Sequence, residues 1–431
     1  MLSFLKKFYH YLVSVFFYWC YGRPAKKMIV IGVTGTKGKS TTCRFIASVL
    51  EQTGNKVGLM STVEFQDGNN RYLNDKKMTM LGRGEIHKMM AQMLKNGCKY
   101  AVIETSSEGI LQFRHFGLHY DICVFTNLGT EHQERHGGFE NLRRDKGKIF
   151  AGLNKDKRKI IDGKKMEKII IANTDDENAE YFLRFEADKK IAFGQRDQYL
   201  VEKENSLNAR ILKVEGQKTE FEVNNFLFNL NLAGVFNIYN ALPAIAIGKI
   251  FLLPLEKIAT GIAVVKKVEG RMEFIEEGQN FNVVVDYAHE SMSLTALFET
   301  LRNLVRDKKI IGIIGSDGGG RDKSKRKEMG KIAGQLCDIV IITDVNCFDE
   351  NPKEIAEMLA VGVRETGKKD EENLFIVIDR EQAIKKALSL AKAGDVVAIT
   401  AKGTEPCIVI EGGKKIPWDD REVTRKILKT L

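Results

Sequence analysis

Residues 28–41 read Met-Ile-Val-Ile-Gly-Val-Thr-Gly-Thr-Lys-Gly-Lys-Ser-Thr, and this stretch predicts the fold of the chain. A β-branched run is followed by a glycine-bearing loop, and residues 40–50 then have the apolar spacing of a helix. Such a strand, loop and helix form a phosphate-binding site, because backbone N–H groups and the helix N-terminus attract anions. We therefore expect ATP to be bound by the loop residues Gly35, Thr36, Lys37, Gly38, Lys39, Ser40 and Thr41.

Two side chains of this loop have predicted roles in chemistry. Lys39 is placed to reach the β- and γ-phosphates, and the Ser40 hydroxyl to bind Mg²⁺. The strict phosphate-loop pattern has glycine where this chain has Val33, so the match is to the shorter pattern GxxGK[ST]. The alternative is an ordinary turn between a strand and a helix.

Acidic and histidine side chains follow two further predicted strands. Glu104 ends the apolar run 100–103, and His132 and His136 follow the run 122–125. Ligands of an open parallel sheet bind at the carboxyl ends of its strands, so Glu104 and His132 are predicted to act on Mg²⁺ and phosphate. The HExxH order of zinc helices is absent, because Gln133 follows His132. A strand-end glutamate facing water and a surface loop with incidental histidines are the alternatives.

The pattern of strands and helices predicts an α/β protein with two domains after a short N-terminal segment. Apolar runs separated by helical stretches indicate parallel βαβ units, and residues 200–232 partly alternate as antiparallel strands do. A second set of strands and helices begins near residue 270, without the dinucleotide pattern GxGxxG after its first strand. The expected architecture is a P-loop central ATPase domain with a parallel sheet (28–268), a Rossmann-like C-terminal α/β domain (269–431) and a hydrophobic segment (1–27).

Charge and composition restrict the partners. The formal charge is +10, but Lys and Arg are scattered among acidic residues, so phosphorylated small molecules or an anionic membrane surface are favoured over nucleic acid. The 7 Cys form no CxxC pair, which indicates free thiols in a reducing cytosol. Residues 8–21 are apolar, aromatic and too few to span a bilayer. They predict either a helix at the inner face of the membrane or a helix packed on the protein.

Several segments resemble motifs of the Mur ligase family of peptidoglycan synthesis. Gly35 to Ser40 resembles its ATP loop, and Glu104-Thr-Ser-Ser resembles its EVSS segment. Asn127-Leu with the 131–137 stretch resembles NL…DHxDxHG. Further matches are 232–241 (GxFNxxNxxAA), 269–273 (GRxE), 286–289 (DYAH), 319–326 (GGxRDxxKR) and 402–405 (KGHE). The nearest subgroup is the E-type, the UDP-N-acetylmuramoyl-tripeptide synthetases, without their N-terminal UDP-binding domain.

The resemblance implies an ATP-dependent ligase that adds an amino acid to a muropeptide-like carboxylate through an acyl-phosphate. Lys146 matches a lysine that is carbamylated in many members, so Ser40, Glu104, His132 and Lys146 are the implied Mg²⁺ ligands. The catalytic set is Lys39, Glu104, His132 and Lys146. Nucleotide binding or domain closure is implied for Asn237, Asn240, Arg271, Asp286 and His289. The implied enzyme is cytoplasmic and monomeric.

The resemblance does not identify the amino acid that the ligase adds. Members that add diaminopimelate have the motif DNPR, and here Asn346 remains while Cys347 and Phe348 replace Pro and Arg. Losing this arginine removes a bidentate carboxylate contact, so selection would depend on Asn346, Glu405 and Arg321. The alternatives are a folylpolyglutamate-synthase-like or other ligase of the superfamily, a P-loop kinase, and a non-catalytic partner of cell-wall enzymes.

Overall fold

The computed structural model describes residues 2–76, 78–129, 136–196 and 200–431, with side chains from residue 8 onward. The chain divides into two compact units, Met1–Lys266 and Lys267–Leu431. The α-helices of the described residues are α1 Leu2–Cys20, α2 Lys39–Glu51, α3 Arg83–Lys95, α4 Ser107–Leu111, α5 Phe139–Leu153, α6 Ala179–Leu183, α7 Phe236–Ile250, α8 Leu255–Ala263, α9 Ser291–Val305, α10 Ser324–Leu336, α11 Pro352–Arg364, α12 Arg380–Leu390 and α13 Asp420–Leu428.

The strands of the first unit are β1 Ile29–Thr34, β2 Lys56–Met60, β3 Glu64–Asp67, β4 Arg71–Leu73, β5 Cys98–Glu104, β6 Ile122–Phe125, β7 Ile160–Ile161, β8 Lys164–Lys165, β9 Ile169–Asn173, β10 Lys189–Gly194, β11 Ser206–Glu215, β12 Lys218–Val223 and β13 Phe226–Leu230. Those of the second unit are β14 Glu273–Phe274, β15 Asn282–Val285, β16 Ile310–Ile314, β17 Ile339–Ile342, β18 Leu374–Ile376, β19 Val396–Ile399, β20 Cys407–Val409 and β21 Lys415–Pro417.

One large sheet organises the first unit, in the order β13-β12-β11-β10-β9-β6-β1-β5-β2-β3-β4. Strands β10, β9, β6, β1, β5 and β2 are parallel, while β3–β4 and β12–β13 add antiparallel edges. Every residue of β1 is buried, as expected for a central strand covered on both faces. The fold is the predicted α/β class with a mostly parallel central sheet.

The two faces of this sheet are covered by different helices. Val30 of β1 packs in one core with Ile86 and Met90 of α3 and with Phe150 of α5. Helices α7 and α8 both contact α2, and Gly248 and Gly261 approach Val49 of α2 closely. The phosphate loop therefore connects the central strand β1 to α2. This helix packs on the sheet with one side and on α7 and α8 with the other.

The N-terminal helix α1 packs along α3 through one of its faces. Ser14 and Tyr18 are buried there, and the Tyr18 hydroxyl lies 2.8 Å from His119 Nε2. The packed helix of the two sequence-based alternatives is therefore present, although other side chains of α1 face outward. Across the described part of the chain, we find no helix whose length and apolar character suffice to cross a bilayer.

The second unit contains a six-stranded sheet in the order β14-β15-β19-β16-β17-β18. All neighbouring pairs are parallel except β14–β15. Helices α12 and α13 cover one face, with Ile384 and Ile427 in a core beside Ile313 and Val397. Apart from Arg271, which precedes β14, the residues predicted for the site of this unit lie in the loops after β15, β16, β17 and β19.

Candidate functional site

The phosphate loop is shaped by the segment that follows β6. The Thr36 N–H donates to the Asn127 carbonyl at 2.9 Å, and the Lys37 N–H donates to Asn127 Oδ1 at 2.8 Å. Thr126 Oγ1 and Asn127 Nδ2 both donate to the Lys37 carbonyl, at 2.8 and 3.1 Å. These bonds hold the loop open at the N-terminus of α2, where the first N–H groups of the helix have no partner within it.

Two glycines allow the close approaches that this shape requires. Gly35 has a φ of 153°, and a Cβ there would lie 2.0 Å from Thr126 Oγ1. Gly38 has a φ of 79°, and a Cβ there would lie 2.1 Å from Asn240 Oδ1. Asn240 on α7 also donates to Asn237 Oδ1 at 2.8 Å. The two predicted asparagines therefore lie directly behind the phosphate loop, although they are distant from it in sequence.

Ser40 and Glu104 are in direct contact. The Ser40 hydroxyl donates to Glu104 Oε2 at 2.8 Å, and the Thr62 N–H donates to the same oxygen at 2.7 Å. Glu104 Oε1 accepts from Thr62 Oγ1 at 2.9 Å, and this carboxylate is only 2% exposed. A hydroxyl and a carboxylate that converge beside a phosphate loop provide the hard oxygen donors that Mg²⁺ prefers. Lys39 Nζ donates to the Thr36 carbonyl at 2.8 Å, so it folds over the same loop.

Lys146 of α5 reaches the phosphate loop from a different element. Its Nζ donates to the Gly35 carbonyl at 2.8 Å, and the side chain is buried. One residue earlier, Asp145 Oδ2 lies 2.6 Å from His136 Nδ1. Burial alone would raise the pKa of the Asp145 carboxyl, but hydrogen bonds from His136 and Lys148 lower it. His132, the other predicted residue of this segment, lies outside the described residues.

In the second unit, one cluster contains the predicted nucleotide-binding residues, of which Arg271 precedes β14 and Asp286 and His289 follow β15. Asp286 accepts the Met272 N–H and the Ala288 N–H, both at 2.7 Å. The Arg271 guanidinium lies 4.5 Å from the centre of the Tyr287 ring, and His289 Nδ1 lies 2.6 Å from the Tyr287 carbonyl. Burial, and after it the charge of Glu405, raises the pKa of Tyr287, so this phenol stays protonated.

A second cluster in this unit contains two of the three residues predicted to contact the amino acid, Asn346 and Glu405. Asn346 Nδ2 donates to Asp317 Oδ1 at 2.8 Å and to Glu405 Oε2 at 3.1 Å. Lys402 is fully buried, and its Nζ lies 3.0 Å from the same Glu405 oxygen and 2.9 Å from the Cys407 carbonyl. Asn346 and Glu405 therefore lie together. Lys402 joins Glu405 to the Cys407 carbonyl, further along the same segment of chain.

Phe348 is the residue predicted to stand in place of the arginine of the DNPR motif. Its φ is 51°, in the left-handed region, and its ring lies where a Cβ on Gly319 would come within 2.8 Å. Gly319 belongs to the loop that carries Arg321, whose charge acts on Tyr287. The Phe348 ring therefore packs on the loop that contains Gly319, and Arg321 follows two residues later in the same loop.

Several residues of these clusters were given no role from the sequence, although Asn127 was noted as part of a family motif. Thr62 follows β2, Thr126 and Asn127 follow β6, and Asp317 follows β16. Each lies at the carboxyl end of a parallel strand, which is the rule that identified Glu104. Applying the same rule to every strand would have found them. The role of each predicted site residue stays a prediction.

Comparison with known proteins agrees with this geometry. Residues 33–248 match the Mur ligase middle domain, and residues 270–403 match the Mur ligase glutamate ligase domain. A UDP-N-acetylmuramyl-tripeptide synthetase of Treponema denticola is 36% identical, and the match covers 95% of this chain and 77% of that protein. A Caldanaerobacter subterraneus UDP-N-acetylmuramoyl-L-alanyl-D-glutamate–2,6-diaminopimelate ligase is 34% identical, with 95% and 80% covered.

Solved structures show the same fold. A UDP-N-acetylmuramoyl-L-alanyl-D-glutamate–2,6-diaminopimelate ligase superposes with a TM-score of 0.60 at 25% identity, covering 94% of this chain and 79% of that one. A Mycobacterium tuberculosis folylpolyglutamate synthase complexed with ADP and AMPPCP gives 0.68 at 16% identity, covering 97% and 94%. With a phosphate loop, a Ser–Glu pair beside it and both domain models matched, the chain belongs to the Mur ligase family and is an ATP-dependent, ADP-forming carboxylate–amine ligase.

Proposed function

We propose that the chain adds an amino acid to the carboxylate of a muropeptide, as the third residue of a peptidoglycan stem peptide. The observation that carries this proposal is the contact of Ser40 with Glu104 at the phosphate loop, in a chain 34–36% identical to relatives named for that step. A carboxylate is a poor electrophile, and phosphorylation by ATP would give it a good leaving group. The amine would then attack the carbonyl carbon and release phosphate.

The residues of the first unit support the phosphoryl-transfer step. The helix N-terminus of α2 and Lys39 would stabilise negative charge on the transferred group. Mg²⁺, when bound, supplies charge neutralisation on the phosphates, and Ser40, Glu104, His132 and Lys146 are the side chains we propose to hold it. The described members of this set lie on three different elements that meet at the Gly35–Ser40 loop.

We propose that Lys146 is carbamylated. Its amine is buried within hydrogen-bonding distance of the phosphate loop, so a positive charge there would oppose a metal ion at the same place. A carbamate converts the amine into a carboxylate and would make the residue a metal ligand. Nucleotide binding is also proposed for Asn237 and Asn240 of the first unit and, in the second unit, for Arg271, Asp286 and His289.

The amino acid is proposed to be selected by Asn346, Glu405 and Arg321 rather than by an arginine at position 348. The packed ring of Phe348 offers no hydrogen bond to a distal carboxylate. Asn346 contacts two carboxylates, Asp317 and Glu405, which favours a substrate that brings an amine to this cluster. The relatives leave the choice open, because some are named tripeptide synthetases and others diaminopimelate ligases at similar identity.

We further propose that the enzyme works as a monomer in the cytoplasm, at the inner face of the membrane. The uncharged aromatic run 8–21 with lysines on both sides supports the membrane contact. Small-molecule substrates, and not nucleic acid, fit the scattered distribution of its basic residues.

The test is a screen for ADP release over acceptors and amino acids. UDP-linked and UDP-free muropeptides, each with a free carboxylate, would be combined with diaminopimelate, lysine, ornithine and neutral amino acids. Folate acceptors with glutamate form the second arm, because the folylpolyglutamate synthase shares the fold over nearly its whole length. Release of ADP that requires both a muropeptide and an amino acid supports the proposal. Turnover with folate and glutamate alone would refute it.

A further inference from the structure

The outer side of α1 presents a continuous surface of large apolar side chains. Phe8, Leu12, Phe16 and Trp19 repeat every three or four residues, so they lie along one side of the helix, which we call the outer face. They are 52%, 48%, 61% and 59% exposed, whereas Ser14 and Tyr18 on the opposite side are buried. Isolated apolar side chains on a surface are ordinary, but a contiguous aromatic stripe marks a contact surface.

The inner side of α1 is fixed to the protein by specific bonds. Ser14 Oγ donates to the Phe113 carbonyl at 3.0 Å, and the Tyr18 hydroxyl contacts His119, which in turn contacts Asp156 at 2.9 Å. The Tyr18 ring lies against Gly117, where a Cβ would come within 2.4 Å. The helix is therefore already folded and attached, so its outer face needs no further ordering before it binds a partner.

The charges around the outer face identify the partner. Residues 8–21 contain no charged side chain, but Lys6 and Lys7 precede them in sequence. After them, the Arg23 guanidinium stacks on the Trp19 ring at 4.5 Å, and Lys26 and Lys27 are exposed. A second copy of the chain fits poorly, because any two-fold pairing of a helix that is basic at both ends brings like charges together.

An anionic lipid surface fits both features. Trp, Tyr and Phe side chains concentrate at the boundary between headgroups and acyl chains, where an interfacial helix lies in the plane of the bilayer. The basic residues that precede and follow the aromatic run in sequence favour a negatively charged surface. We infer that the outer face of α1 docks the enzyme on an anionic phospholipid bilayer, with the inner side holding the catalytic unit against it. This inference deepens the proposed membrane association and is independent of which substrates the ligase uses.

The experiment is flotation of the full chain with lipid vesicles. Wild-type protein is expected to float with vesicles containing phosphatidylglycerol and less with phosphatidylcholine alone. The double substitution Leu12→Gln/Phe16→Gln should lower the bound fraction at least about tenfold, because each removes a large apolar group from the contact. Lys26→Gln/Lys27→Gln should lower binding only to the anionic vesicles.

Leu252→Gln is the matched control. Leu252 is 88% exposed on the connection between α7 and α8, the helices that pack on the other face of the sheet from α3. This variant should float as wild type does. ADP release and the circular dichroism spectrum without lipid should be unchanged in all variants, because none of these residues belongs to the proposed site. A lack of ADP release would therefore count against the ligase and leave the flotation result intact.

Wild-type protein that does not float with phosphatidylglycerol vesicles would overturn the inference, and so would either of two further results. One is undiminished flotation of Leu12→Gln/Phe16→Gln. The other is a wild-type dimer, measured by light scattering, that dissociates in this variant while neither protein floats, since the outer face would then join two copies.

Discussion

Glu104 offers the sharpest test of the proposed metal site, because glutamine can replace it without disturbing its hydrogen bonds. In Glu104→Gln, the amide oxygen can take the place of Oε2, which accepts from Ser40 and from the Thr62 N–H. The amide NH₂ then faces Thr62 Oγ1, which can accept this bond and donate to Thr79 Oγ1, 2.9 Å away. Every partner of the buried carboxylate stays satisfied.

The expected effects on stability and on catalysis therefore separate. Three hydrogen bonds lose charge assistance, at about 1 kcal/mol each. The neutral amide avoids the desolvation cost of a buried charge, which is several kcal/mol, and this gain offsets the weaker hydrogen bonds. The free energy of unfolding should therefore change by no more than about 2 kcal/mol. A cation bound against this carboxylate loses about 4 kcal/mol for each unit charge at 4 Å in an effective dielectric of about 20. One unit of charge alone corresponds to a fall of about 10³-fold in kcat/KM for ATP, so the loss for a doubly charged Mg²⁺ should be at least that large.

The assay is ADP release at fixed Mg²⁺, together with urea unfolding of the same preparations. Glu64→Gln is the matched control, since Glu64 is equally buried at 2% exposure but pairs with Arg71. It should lose stability and keep a near-normal turnover. A Glu104→Gln enzyme whose kcat/KM stays within tenfold of wild type would show that Glu104 is not a metal ligand.

Four further predictions follow from the same geometry. Lys39→Ala should abolish ATP turnover in a folded protein, and near-normal ADP formation would contradict the nucleotide site. Lys146→Ala should lose activity that short carboxylic acids partly restore and bicarbonate does not; a crystal map with an unmodified amine far from any metal would argue against the carbamate. Phe348→Arg should raise kcat/KM for diaminopimelate over lysine about tenfold, or ~1.4 kcal/mol, and a wild-type preference for diaminopimelate of that size would refute the proposed specificity. Burial lowers the pKa of Lys159 to about 8 from 10.5, so the folded protein binds fewer protons than the unfolded chain in that interval. This contribution makes the free energy of unfolding rise with pH from 8 to 10.5, and urea unfolding of Lys159→Met should show a flatter rise.

The parallel strands could be predicted because each is a short apolar run bounded by polar residues. Strand β3, next to the edge of the sheet, could not be predicted, since its sequence is Glu-Phe-Gln-Asp. Glu64 and Gln66 of this strand are accommodated by Arg44, which lies on a helix some distance earlier in the chain. The local alternation of apolar and polar residues contains no information about such a partner. The β3–β4 hairpin that extends the sheet was therefore not predicted.

The candidate site shows a similar division. Glu104 and Ser40 were identified because strand ends and helix starts meet at one edge of a parallel sheet. The bonds that shape the loop join Lys37 to Asn127, 90 residues apart, and only the sheet order brings them together. For α1, apolar side chains surround the whole helix, so periodicity alone could not tell the buried side from the outer face.

The close fit between Gly38 and Asn240 has a consequence for synthesis on the ribosome. The phosphate loop leaves the tunnel early, but the helix that supports it from behind is made about 200 residues later, which takes roughly 10–40 s at about 5–20 residues per second. Until then the nascent chain contains the phosphate loop without Asn240, the side chain that packs against Gly38. ATP should therefore bind only after α7 has been translated, and the nucleotide would act on the finished unit rather than guide the folding of its first half.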